Sequence, residues 1–98
     1  MGNDRPSLDE LLGCLAHPQR RGLLRALADD GPQSVAAIAS HENRSPERSA
    51  TRVKAHHVHL PKLEAAGVIR WDRETDRIEE GPSFTRIRPM LEALNQVE

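Results

Sequence analysis

The stretch His59-Leu60-Pro61-Lys62-Leu63-Glu64-Ala65-Ala66-Gly67-Val68-Ile69 constrains this chain more than any other. Its leucines recur at helical spacing, its glycine is a stop signal, and its last two residues are β-branched. It reads as a helix that runs through a glycine cap directly into a strand. Val68 to Trp71 forms that strand, Asp72-Arg73-Glu74-Thr75-Asp76 supplies a turn, and Arg77 to Glu79 returns. With 98 residues there is room for one domain and a core of modest size. A long helix feeding a two-stranded ribbon leaves such a domain few architectures.

The residues before this point predict three more helices. Ser7-Leu8-Asp9-Glu10 is a capping box, and Leu8, Leu11, Leu12 and Leu15 follow at helical spacing, giving a helix from Leu8 to about Ala16. His17-Pro18 breaks it, because proline disfavours the helical region for the residue before it. Pro18 suits the first turn of a second helix, which buries Leu23, Leu24 and Leu27 and ends at Gly31. A third helix opens at Ser34 and runs from Val35 to about His41, with Val35 and Ile38 inward. The helix of the opening stretch starts at Ser45-Pro46 and runs to Ala66, with a kink or loose turn expected near His57 because Pro61 removes a backbone hydrogen bond; the alternative is that residues 42–49 are a loop and the helix starts near Ala50. Gly81-Pro82 ends the ribbon. Phe84, Ile87, Leu91 and Leu94 then mark a last helix from about Ser83 to Gln96. The expectation is a mostly α fold with a small β-hairpin, in the order of four helices, two strands and one helix. Residues 1–6 are expected to be a disordered tail, 7–81 the main domain, and 82–98 a C-terminal dimerisation helix.

The net charge is −1, which by itself predicts no nucleic-acid partner. The distribution says more. From Arg44 to Lys62 the cations Arg44, Arg48, Arg52, Lys54 and Lys62 face Glu47 alone, a local net of +4. The turn from Asp72 to Arg77 holds two arginines against three carboxylates. Only Lys54 and Lys62 are lysines among fourteen cations, an arginine bias shared by halophile proteins and by high-GC genomes. No run approaches the roughly 18 apolar residues of a membrane span, and the N-terminus lacks a signal-peptide pattern. A cytoplasmic protein with no membrane partner is expected. One cysteine, Cys14, cannot form an internal disulfide.

Two motifs resemble ArsR-type winged helix-turn-helix regulators. His59, Leu60, Leu63, Ala66 and Gly67, with Val68-Ile69 as close replacements, match the end of that family's recognition helix (His-Leu-x-x-Leu-x-x-Ala-Gly-Leu-Val). His17-Pro18-Gln19-Arg20-Arg21-Gly22-Leu23-Leu24-Arg25-Ala26-Leu27 is similar to its second-helix motif. The resemblance covers most of residues 8–80, and the chain also looks like small winged-helix domains common in haloarchaea. It implies a winged helix-turn-helix fold and sequence-specific binding to double-stranded DNA as a transcription regulator.

An α-helix fits the major groove, where Arg and Lys donate to guanine edges or to phosphates. The candidate DNA-binding residues are Arg44, Arg48, Thr51, Arg52, Lys54, Ala55, Val58, His59 and Lys62, with Ala55 and Val58 small enough to meet a thymine methyl. Arg73 is the preferred contact from the wing, although Asp72, Glu74 and Asp76 make the wing tip negative. Winding the long helix at 100° per residue places Val53, His57, Leu60, Leu63 and Gly67 on its inner side. Salt weakens phosphate contacts, and at molar salt the Debye length is only about 3 Å.

Two other readings were weighed on the same residues. His56-His57-x-His59, Cys14-x-x-His17 and His41 invite a metal-sensor reading. The cysteine pair that thiolate sensors of the resembled family carry on the recognition helix is absent, and a lone cysteine in a leucine-rich helix is more often a small core residue. No metal or other cofactor is therefore expected. No nucleophile motif or phosphate-binding glycine loop is present, so an enzyme is not expected. A winged helix can also serve as a protein-interaction module in a transcription complex, since fold does not fix function. Leu8, Leu11, Leu12 and Leu15, together with Phe84, Ile87, Leu91 and Leu94, are expected to form a two-fold homodimer seam; the alternative is that both helices close the monomer's own core.

Overall fold

In the computed structural model, residues 5–98 are described; positions 1–4 of the expected tail lie outside them. Five helices surround a small antiparallel sheet in the order α1 (Leu8–Leu15), α2 (Pro18–Asp30), β1 (Gln33–Ser34), α3 (Val35–Glu42), α4 (Pro46–Ala65), β2 (Ile69–Asp72), β3 (Arg77–Glu80) and α5 (Phe84–Val97). The chain is mostly helical, as its apolar periodicity predicts.

The caps explain the boundaries. The Ser7 hydroxyl accepts from Glu10 N–H at 3.1 Å while the Glu10 carboxylate accepts from Ser7 N–H at 3.2 Å, a complete capping box. α2 begins with Pro18 at its first position, and His17 is the cap: its Nδ1 accepts from Gln19 N–H at 3.1 Å. Ser34 caps α3 and Ser45 caps α4, each accepting at 3.1 Å from the backbone N–H three residues on. α4 ends at Gly67, whose φ of 75° needs a residue without a Cβ. There Val68 N–H donates to Leu63 C=O and Gly67 N–H to Glu64 C=O, satisfying the last carbonyls of the helix. α4 is helical through Pro61, so no loose turn forms near His57.

The sheet has three strands, not two, in the order β1-β3-β2. β2 and β3 pair as the expected hairpin, with Trp71 opposite Ile78. Gln33 and Ser34 add a short strand against Ile78 and Arg77. Two residues are too few to show an alternating pattern, and Ser34 is also the cap of α3, so the strand is hidden inside a turn signal.

The core joins α1, α2, α3, the C-terminal half of α4, the hairpin and α5. Leu23, Leu24, Leu27, Val35, Leu60, Leu63, Val68, Phe84 and Ile87 are fully buried. This corrects the expected dimer seam. Leu11, Leu15, Phe84, Ile87 and Leu91 all belong to this chain's own core. The physical reason is scarcity: Phe84 and Trp71 are the only aromatic residues, so the leucines of α1 and α5 are needed to close the monomer. Leu8 and Leu12 remain exposed, and Leu94 is half-buried. Leu12, Leu15, Ala16, Met90, Ala93 and Leu94 line an apolar hollow of about 430 Å³ between α1 and α5. At the N-terminus Pro6 is buried and its carbonyl accepts from Arg86 Nη1 at 2.7 Å, so the tail expected over 1–6 is tied to α5 at that position.

A candidate nucleic-acid interface on α4

α4 has three sides. Leu60, Leu63 and His56 point into the domain and are fully buried. Arg48, Thr51, Lys54, Val58 and Lys62 are exposed along the outward side, preceded by exposed Arg44. Among the described residues no carboxylate bonds Arg44, Arg48, Lys54 or Lys62. Arg48, Lys54 and Lys62 lie on one side of one helix, with Thr51 and Val58 between them, and Arg44 stands just ahead of it. The Thr51 hydroxyl donates back to Glu47 C=O at 3.0 Å, as threonines inside helices often do. Ala55 is half-buried at the edge of this face. A shallow groove of about 390 Å³ runs beside it, lined by Gln19, Asn43, Glu47, Arg48, Thr51, Arg52 and Ala55.

Three of the expected contact residues are engaged elsewhere. Arg52 turns inward, with Nε 3.6 Å from Glu42 Oε1 of α3. That same oxygen lies 2.7 Å from His56 Nε2, so Glu42 draws together two residues of α4. His59 is half-buried, with Nδ1 3.0 Å from Arg20 Nη1 and its ring centroid 4.3 Å from that of His17. Arg73 makes a bidentate pair with Glu64 of α4, at 2.8 and 3.1 Å, and lies 4.2 Å over the Trp71 ring. Arg52 and Arg73 each have a carboxylate of another element within reach, and His59 accepts from Arg20 of α2, so each side chain exchanges water for a protein partner.

His56 is the residue that sequence reasoning missed. The inner side had been set on Val53, His57, Leu60 and Leu63; the observed stripe is His56, Leu60 and Leu63, with Val53 packed at its edge. His56, Leu60 and Leu63 stand four and three residues apart, the spacing of one helix face. Glu42 makes the burial of His56 possible, because a buried polar ring is tolerated when hydrogen-bonded. His57 lies instead on the hairpin side, with Nε2 2.8 Å from Asp76 Oδ2. Trp71 Nε1 donates to the other oxygen of Asp76 at 2.9 Å. Asp76 takes a φ of 55° and its carbonyl accepts from Val35 N–H, so the turn is held to α3 as well. Asp76, expected only to make the turn negative, is thus a structural anchor, as is Glu64, which the sequence does not single out.

The three histidines of α4 thus face three different partners. Among the described residues no three His, Cys, Asp or Glu side chains gather as metal ligands. Cys14 is buried in the core, and burial pushes its thiol up from the ordinary range.

With the geometry in place, the comparison with known families is informative in its extent. Residues 12–79 match the family described as a domain of unknown function, DUF7344. The chain belongs to that family. No curated protein and no solved structure gives a match. The DUF7344 span starts within α1 and ends in β3, so it holds the outward face of α4, the Glu42 and Asp76 anchors and the hairpin, and leaves out α5. Among the described residues no helix is long and apolar enough to cross a membrane.

Proposed function

We propose that this DUF7344 domain is a winged helix-turn-helix that binds double-stranded DNA with sequence preference and regulates transcription. In this reading α3 and α4 are the helix-turn-helix, α4 is the recognition helix, and the β2–β3 hairpin is the wing. One observation carries it: Arg48, Lys54 and Lys62 stand unpaired and exposed along one side of a 20-residue helix, with Arg44 just ahead of it. A helix that bears unpaired cations outward and leucines inward is suited to lie in a major groove, where phosphates replace the missing carboxylates. Thr51 and Val58 sit between the cations, placed to meet base edges.

The structure narrows the site. In this reading Arg52 and Arg73, each engaged by a carboxylate, are supports rather than primary base or phosphate readers. A homodimer is the natural assembly for such a domain, since two recognition helices then read two half-sites. The apolar hollow bounded by Leu12, Met90 and Leu94, with Leu8 exposed on the same helix as Leu12, is the surface on which a second copy would seat.

Selection of bound sequences from random duplex DNA, run at low and at molar salt, tests the proposal. Enrichment of a common motif is the expected result. Retention of no duplex at either salt overturns it and favours a protein-interaction module. The second reading has one observation in its favour: the wing's outer face forms a hollow of about 540 Å³ bordered by Glu64, Arg70, Asp72, Arg77 and Glu79, whose charges are mixed rather than basic.

A further inference from the structure

α4 is bordered by two unlike neighbours. On the hairpin side Arg73 is paired with Glu64 and His57 with Asp76. On the other side lies the start of α2. There His17, Arg20 and His59 come together, Lys62 reaches Gly13, whose carbonyl Arg20 holds, and among the described residues no carboxylate bonds any of the four. The two motifs that first marked this sequence meet at this place.

The hydrogen bonds decide what the two imidazoles offer. A guanidinium can only donate, so His59 Nδ1, 3.0 Å from Arg20 Nη1, accepts. The Gln19 N–H likewise donates to His17 Nδ1 at 3.1 Å. In each neutral ring the proton then sits on Nε2. Neither Nε2 has a protein partner, and neither is among the buried unpartnered atoms, so both N–H groups reach solvent. The rings lie 4.3 Å apart at a tilt of 44°. Lys62 reaches over the end of α1, its Nζ 3.6 Å from where a Cβ on Gly13 would stand. Arg20 is fixed by two further bonds to Gly13 C=O, at 2.9 and 3.2 Å.

Two ring N–H groups, an ammonium and an anchored guanidinium form a cluster of donors only. A metal ion would need a lone pair on Nε2, and the tautomers place a proton there. Burial first, and then His17, Arg20 and His56, hold His59 below the usual imidazole range, which keeps it in this neutral donor form at neutral pH.

We infer that His17, His59 and Lys62, with Arg20 behind them, form an anion site that takes a phosphate group, supplied by the backbone of bound duplex DNA. It follows that α4 would meet the phosphate strand on its α2 side, while Arg73, held by Glu64, contributes no phosphate contact. The source of the phosphate rests on the DNA reading above; the donor cluster itself does not.

The test is imidazole ¹⁵N–¹H NMR of the full chain, titrated with a mixed-sequence duplex and separately with inorganic phosphate. The free protein should show the Nε2–H tautomer for His17 and His59, and the duplex should shift both rings. His17→Gln and Lys62→Gln should each weaken duplex affinity roughly tenfold, and Arg73→Gln should leave it within about twofold. Lys62 is exposed, so its variant reports on binding without a change of fold. Duplex binding that moves neither ring, or that depends on Arg73 and not on Lys62, overturns the site and leaves the DNA reading standing. Phosphate shifting both rings without any duplex binding keeps the anion site, with free phosphate as its ligand, and ends the DNA reading. No response to either ligand overturns both.

Discussion

His57 Nε2 on α4 stands 2.8 Å from Asp76 Oδ2 at the hairpin turn, and the second oxygen of that carboxylate accepts from Trp71 Nε1. One side chain thus fixes the proposed wing to the proposed recognition helix. Asp76→Ala removes both bonds and leaves a residue with a Cβ at a φ of 55°. The expected loss is about 2–3 kcal/mol, near 1 kcal/mol for each bond plus the cost of the left-handed backbone. Asp76→Asn keeps an acceptor for Trp71 and tolerates that backbone, so it should lose about 1 kcal/mol. Urea unfolding followed by fluorescence checks both, since Trp71 is the single tryptophan.

Arg48→Ala and Lys54→Ala should each lower the salt dependence of duplex binding by about one unit of slope and shift stability by no more than about 0.5 kcal/mol. Arg52→Ala should do the reverse. It leaves the slope unchanged and lowers stability by up to about 1 kcal/mol, because Glu42 loses one of its two α4 partners. Salt titrations of affinity, paired with urea midpoints for each variant, separate the two behaviours.

Stability should fall on mild acidification, and His59 is one cause. Its pKa is held below the ordinary 6.5, chiefly by burial and then by His17, Arg20 and His56. The unfolded chain therefore takes up a proton before the folded chain does. The stabilisation is complete above the unfolded value and is lost as pH falls through the folded one. Urea midpoints should drop between about pH 7 and pH 5.5, and the drop should be smaller in His59→Gln. An equal drop in the variant assigns the effect to other groups.

Leu12→Asp should convert the proposed dimer to a monomer in sedimentation equilibrium. Leu12 is 48% exposed, so the change spares the core. Leu91→Asp is the wrong variant for this purpose, because Leu91 is only 2% exposed and a carboxylate there would unfold the chain. A monomeric wild-type protein at high concentration removes the seam.

Much of the fold was legible because its signals are local. The Ser7–Glu10 capping box, Pro18 after His17, Gly31 and Gly67 as stops, and the existence of the β2–β3 hairpin each depend on residues close in sequence. What escaped depends on meetings between distant segments. The Gln33–Ser34 strand exists only because Arg77 and Ile78 arrive beside it. His56 is inside only because Glu42 reaches it from another helix, 14 residues away. The unpaired state of Arg48 and Lys54, against the engaged state of Arg52 and Arg73, likewise turns on which neighbour lies within a few ångströms. Charge counting along the chain cannot see that.

Gly67 and Gly81 touch through their backbones. Ser83 N–H donates to Gly67 C=O at 2.8 Å, and Gly81 N–H to Val68 C=O at 3.0 Å. A Cβ on Gly81 would collide with the Gly67 carbonyl oxygen and stand 2.9 Å from Ile69 N. The exit of α4, the foot of the hairpin and the entry to α5 therefore converge on a knot of bare main chain. Any methyl group introduced there would pry all three apart together, so a defect far from the outward cations would still re-aim the rod that carries them.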